Sequence, residues 1–143
     1  MTTFEEYFRD GLPQTKALGI EVLNHGDGRA EVMLPYRGDL IGDPDTGVIA
    51  GGAVTTLLDN ACGQAVHSAL AELTSIATLD LRIDYMRPAA PRAGITAEAH
   101  CYKMTRSIAF VRAQAWDVDP EDPIATAQAA FILNGAPVPG AAG

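Results

Sequence analysis

Basic residues are scarce in this chain: ten Lys and Arg stand against eighteen Asp and Glu, a formal net charge of −8. That balance argues against a nucleic-acid partner, because phosphate binding needs clustered Lys and Arg. Cysteine is nearly absent. Cys62 and Cys101 lie far apart and outside metal-ligand spacing, so neither a disulfide scaffold nor a zinc centre is expected. No apolar run approaches the roughly 18 residues that span a bilayer. The opening M-T-T-F-E-E-Y-F-R-D is acidic and amphipathic, without a signal peptide's basic, apolar layout. No internal repeat occurs, and the only low-complexity stretch is the tail G-A-P-V-P-G-A-A-G. A cytoplasmic protein with no membrane, nucleic-acid or metal partner is the expectation.

What is present is enough for one domain, residues 1–143: 143 residues, 48% of them hydrophobic. The few bases are unevenly placed. Residues 82–112 hold six of the ten (Arg82, Arg87, Arg92, Lys103, Arg106, Arg112) against Asp84 and Glu98. One basic zone on an acidic protein suits a small anionic ligand.

Residues 3–10, within an N-terminal segment 1–12, pattern as a short helix presenting Phe4, Tyr7 and Phe8. Strands are expected near 18–24 and 29–35, separated by the turn cluster N-H-G-D-G. A Gly/Asp/Pro-rich loop follows, Arg37 to Gly47. After a long helix, Leu79, Leu81, Ile83 and Tyr85 alternate with Thr78, Asp80, Arg82 and Asp84, a half-buried strand that Met86-Arg87-Pro88 ends. Further strands are expected near 94–104, 107–117 and 124–133, with a flexible tail over 135–143. The order β-β-α-β-β-β-β, antiparallel around one long helix, is an α+β domain.

The helix is the most legible element. Val54, Leu57, Leu58, Ala61, Cys62, Ala65, Val66, Ala69 and Leu70 recur at helical spacing as a single apolar stripe. Ala125, Ala127 and Ala129 offer small residues on one strand face, so helix and sheet can approach closely. Asp59 sits on the border of the stripe, with small Thr55 and Gly63 one turn away. Gly51-Gly52 opens the helix, where unpaired amides and the dipole favour a negative oxygen. An acid at such a border is ordinarily solvated; here apolar surroundings and an oxyanion-binding helix start point to carbonyl chemistry.

The stretch T-G-V-I-A-G-G-A-V-T-T-L-L-D-N-A-C-G-Q-A, followed by L-D-L-R-I-D-Y-M-R-P-A, resembles the hot-dog-fold acyl-CoA thioesterases. It is most like the phenylacetate-pathway (PaaI-like) branch of the 4-hydroxybenzoyl-CoA thioesterase superfamily, from about Leu18 to Leu133. The resemblance implies an antiparallel sheet wrapped around one long helix, and hydrolysis of a small or medium acyl- or aryl-acyl-CoA without a cofactor. It places the family's H-G-G on Ala50-Gly51-Gly52, with the Gly51 amide polarising the thioester carbonyl. The catalytic carboxylate falls on Asp59, as base or nucleophile. A Ser/Thr supplied by the facing subunit falls on Thr78, and a loop Asn/Gln on Asp43 rather than Asp45. CoA phosphates would meet Arg87, Lys103 or Arg106, with Arg106 first. Ala50 for His and Asp43 for an amide are departures from the family pattern. The resemblance further implies a homodimer or homotetramer with active sites at the subunit interface.

The alternative is a hot-dog protein that binds acyl-CoA without catalysis, but such a binder has no need of a carboxylate beside the thioester. None of His25, His67 and His100 has a Ser or Cys in suggestive sequence context, and all three read as structural. A dehydratase of this fold would need a loop His, and none lies between Arg37 and Asp59. Asn60, about 100° round the helix from Asp59, reads as a structural hydrogen-bonding residue.

Overall fold

The computed structural model describes residues 6–7 and 12–137. The expected helix over 3–10 falls largely outside those residues. The first complete element is one that periodicity does not announce, α1 (Pro13–Leu18). Pro13 opens it with a preset φ and no amide to satisfy, and Gly19, at φ 71, ends it. The amides of Gly19 and Ile20 return to the carbonyls of Lys16 and Thr15, each at 3.1 Å. Residues 18–20 are therefore a helix end and its cap, not the start of a strand.

A hairpin follows, β1 (Glu21–Gly26) with β2 (Arg29–Leu34). Its turn is only Asp27-Gly28, at φ 52 and 78, the two-residue geometry that matches strand twist. His25 and Gly26, read as turn from sequence, belong to β1. The Arg37–Gly47 loop is also more ordered than expected. It contains β3 (Ile41–Asp43), which pairs with β4 (Val48–Ile49).

The remaining elements are α2 (Gly51–Ala69), β5 (Thr74–Tyr85), β6 (Ile95–Met104), β7 (Ile108–Trp116) and β8 (Ala125–Pro137). Pro137 pairs with Thr74, so residues 135–137 are strand where a tail was expected. Six strands in the order β1-β2-β6-β7-β8-β5 form one antiparallel sheet, and α2 packs on all six. This is the hot-dog fold. No helix among the described residues is long and apolar enough to cross a membrane.

The apolar stripe of α2 is buried from Val54 to Val66, while Ala69 is exposed because the helix ends there. Facing it are Val32, Leu34, Ile95 and Val111, with the alanines of β6, β7 and β8 between them. Fully burying one such Leu or Val contributes about 1.5–3 kcal/mol. The alanines let the helix axis lie close to the sheet.

One irregularity decides the site. Strict alternation would put Thr78 on the face opposite Leu81 and Ile83. A bulge between Thr78 and Asp80 resets the parity, so that Thr78 pairs with Phe131 and Leu81 with Ala129. Both partners are buried beneath α2. Thr78 therefore turns toward the helix, and Leu79 is left 55% exposed. Tyr85, expected to be half-buried, is 52% exposed because β5 is an edge strand.

Candidate active site

The start of α2 is held from two sides. The Ala50 amide donates to the Leu40 carbonyl at 2.8 Å, fixing the helix to the β3–β4 hairpin. Gly42 makes that approach possible: a Cβ there would lie 2.7 Å from the Ala50 Cα. From the sheet, the Tyr85 hydroxyl donates to the Gly51 carbonyl at 2.8 Å and also meets the Thr55 hydroxyl. Ala50 at the N-cap has no side chain that could close the first turn. The amides of Gly51 and Gly52 thus have no acceptor among the described residues, and both glycines are exposed. Such a helix start is a ready site for a partial negative charge.

Two turns further along α2, half-buried Asp59 accepts a hydrogen bond from the Thr78 hydroxyl, at 2.9 Å to Oδ1. The resemblance assigned Thr78 to the facing subunit. Here the chain's own Thr78 reaches Asp59, because the bulge at Leu79 turns it inward. The pair opens on a cavity of about 310 Å³, walled by Leu12, Thr15, Gly63, Ile76 and Phe131. A polar chain braces one wall: Gln64 Nε2 donates to Asn60 Oδ1 at 2.6 Å, and Asn60 Nδ2 to Thr15 Oγ1 at 2.9 Å. Asn60 thereby ties α2 to α1.

Other nucleophiles and bases nearby are poorly suited. Burial, with smaller contributions from Asp59 and Cys101, pushes the Cys62 thiol up to about 12, so no thiolate forms near neutrality. Burial likewise pushes His67 down to about 4, and its ring packs edge-on to Tyr7 at 6.2 Å between centroids. Among the described residues, no cluster of His, Cys, Asp or Glu could hold a metal ion. Among the described residues, Asp59 is the acid that lines the cavity.

The remaining candidates separate. Asp43 lies in the exposed β3–β4 hairpin, where its carboxylate accepts the Asp45 amide at 3.0 Å. Arg87 is already engaged. Its guanidinium clamps Asp117 through two bonds, 2.7 and 3.0 Å, and also donates to the Asp122 carbonyl at 2.7 Å. It serves as a structural cation and is withdrawn from the phosphate candidates. Lys103 and Arg106 remain exposed at and beyond the end of β6, and neither forms an ion pair among the described residues. The Arg106 turn abuts β8, where the Leu133 amide donates to the Ser107 carbonyl at 2.8 Å, opposite Ile76 beside the Asp59 cavity. Sequence reasoning missed Tyr85. The one signal for it is a tyrosine at the strand end that topology returns to the helix start.

A profile of the thioesterase superfamily matches residues 46–124. The Halobacterium salinarum protein VNG_1336C, provisionally named an esterase, is 35% identical over 94 residues, 64% of this chain and 61% of that one. This chain thus matches less than two thirds of that relative's length. The medium/long-chain acyl-CoA thioesterase YigI of Salmonella typhimurium is 25% identical over 142 residues, 90% of each chain. Among solved structures, a Pseudomonas aeruginosa protein superposes with TM-score 0.82 at 37% identity, covering 92% of this chain and 99% of its own. A mutant of the phenylacetic acid degradation protein PaaI from Thermus thermophilus superposes with TM-score 0.73 at 26% identity, covering 85% and 98%.

Proposed function

The chain belongs to the thioesterase superfamily, and from that premise we propose that it hydrolyses a small or medium acyl- or aryl-acyl-CoA thioester to the free acid and CoA, as a member of the PaaI-like branch. The observation that carries this reading is the Thr78-held Asp59 carboxylate opening on a cavity of about 310 Å³. Asp59 takes a proton from water as the water oxygen bonds to the carbonyl carbon. The C–S bond then breaks, and the proton passes to the departing thiolate of CoA. The developing oxyanion is met by the Gly51 amide, supported by Gly52. Asp59 attacking directly would give an anhydride that water then opens, with the same products.

One chain does not bring these parts together. Gly51 and Asp59 are eight residues apart on one helix, about 12 Å of rise. A carbonyl in contact with both needs them within about 7 Å, since each contact spans roughly 3 Å. The reading therefore joins the Asp59–Thr78 pair of one subunit to the helix start of another, in a homodimer that a further pairing would make a tetramer. Ala50 in place of His leaves this machinery intact, because it rests on backbone amides. Asp43 stands near that helix start as the hairpin residue closest in sequence to the family's loop amide, and Lys103 and Arg106 are the phosphate-facing bases.

The test is thiol release from a panel of acyl-CoAs, from acetyl through medium chain to phenylacetyl. Turnover of at least one above the uncatalysed rate supports the reading; none, from a folded dimer that binds acyl-CoA, would return the protein to a non-catalytic binder. Two variants check the parts. Arg106→Ala should raise KM for acyl-CoA several-fold with kcat nearly unchanged, the signature of binding equal in ground and transition states, and should leave acyl-pantetheine untouched. Tyr85→Phe removes the hydroxyl that steadies the Gly51–Gly52 peptide. Losing one such bond, about 1 kcal/mol, should lower kcat five- to tenfold with little change in KM.

A further inference from the structure

The cavity beside Asp59 is elongated, and one side chain closes its far end. Thr56, Asp59, Asn60, Gly63 and His67 all line it, and their spacing places them on one face of α2 over successive turns. The cavity therefore follows the helix for about 16 Å, the rise from Thr56 to His67. Ile76 and Phe131 form the wall on the sheet side. Gly63 keeps the passage open midway. A Cβ there would already touch Phe131 at 3.8 Å and Ile76 at 4.0 Å, so a longer side chain would fill the space before them.

Beyond His67 lies a second cavity of about 270 Å³, bordered by Gly26 of β1 and by Leu70, Ala71 and Leu73 past the end of α2. Among the described residues, His67 alone borders both cavities. It is 7% exposed, and its ring packs edge-on against Tyr7, which lines the first cavity as well. Burial keeps the imidazole neutral near pH 7, so the partition offers an uncharged ring to an apolar occupant. The proposed catalysis makes no use of that ring.

From Asp59 to His67 the helix rises about 12 Å. An extended chain advances about 1.2 Å per bond, a third of an extended residue, so about ten bonds span that rise. We infer that His67 is the end stop of an acyl channel and limits the substrate to acyl groups of about ten carbons, or arylacetyl groups of no greater reach. The inference rests on the reading of Asp59 as the acid beside the thioester carbon. Octanoyl and decanoyl chains fit in front of the imidazole. A myristoyl chain reaches the second cavity only if the imidazole is displaced.

The experiment measures kcat/KM by thiol release from butyryl-, octanoyl- and myristoyl-CoA, with full-length protein. The wild type should favour octanoyl over myristoyl by about tenfold or more. His67→Ala joins the two cavities. Each methylene that an apolar channel takes up is worth about fourfold, so the myristoyl-to-octanoyl ratio should rise about tenfold or more. His67→Phe refills the partition and should keep the wild-type ratio, which separates a steric stop from a hydrogen-bonding role. Gly63→Leu blocks the channel one turn from Asp59 and should lower the octanoyl-to-butyryl ratio about tenfold. A wild type that cleaves myristoyl-CoA as well as octanoyl-CoA would overturn the inference. So would an unchanged ratio in His67→Ala, or a folded His67→Phe protein that behaves like it. An unchanged ratio in Gly63→Leu would do the same, even where a His67 variant folds poorly. If the wild type cleaves none of the three, the hydrolase reading fails by itself. Calorimetric titration of the same acyl-CoAs then reads the stop, with the same order expected in Kd. Equal Kd for octanoyl- and myristoyl-CoA in the wild type would overturn it.

Discussion

Replacing Asp59 with asparagine is expected to lower kcat by about 10²–10⁴-fold while leaving assembly and binding of a non-hydrolysable acyl-CoA analogue intact. The substitution keeps the size of the side chain and an oxygen for the Thr78 hydroxyl, which donates to Oδ1 at 2.9 Å. It removes the ability to take a proton from water or to attack carbon. Thr78→Ala should cost less, because that hydroxyl holds the carboxylate and forms no bond to substrate. Steady-state thiol release and calorimetric titration of the analogue separate these effects. Near-normal kcat in a folded Asp59→Asn protein would remove Asp59 from the chemistry.

The second large effect is on stability and comes from a residue outside the cavity. Asp117→Ala should lower stability by about 3 kcal/mol, a fall in Tm of about 10 °C for a domain of this size. The Asp117 side chain is 2% exposed and accepts four bonds: two from Arg87, and one each from the amides of Ala90 and Val118. The Arg87 guanidinium chiefly, helped by those amides against the opposing effect of burial, holds its carboxyl well below the usual carboxylate range. A carboxyl depressed in the folded state stabilises fully above its unfolded value, about 3.9, and loses that contribution as pH falls through its folded value. The gap in Tm between wild type and variant should therefore hold steady from pH 7 to about pH 4 and narrow progressively as pH falls further toward the folded value. A gap that stays unchanged well below pH 4 would assign the loss to packing alone. Arg87→Ala should likewise act on Tm, not on KM, which distinguishes it from Arg106→Ala.

Much of this architecture was legible because it follows local periods. The stripe from Val54 to Val66 repeats at helical spacing and is buried as read, and the alanines of β8 do face it. What escaped depends on single breaks in a pattern or on residues joined only by topology. Thr78 alternates with Leu79 in sequence, and nothing in L-D-L-R-I-D-Y announces the bulge that turns it toward Asp59. Arg87 and Asp117 are thirty positions apart, and they meet because the ends of β5 and β7 lie at one edge of the sheet around the start of β8. The Arg87 guanidinium therefore read as a free base in a basic zone when it is a strut. Tyr85 was legible as a strand residue but not as the group on the Gly51 carbonyl, since that contact exists only once α2 lies across the sheet. α1 is six residues long, too short for any period to mark it.

A site shared between two subunits is tested most directly by complementation. Gly51→Pro removes the oxyanion amide and suits its position, since proline is favoured at the first helical residue and Ala50 already has the extended ψ of 139° that must precede it. Asp59→Asn removes the carboxylate. Each variant alone should be nearly inactive. Unfolded and refolded together in equal amounts, half of the dimers should be mixed, each with one site carrying both defects and one carrying neither. The account predicts recovery of about a quarter of the wild-type rate of thiol release. No recovery from a mixture proven to contain mixed dimers would mean that Gly51 and Asp59 act within one chain, and would contradict it.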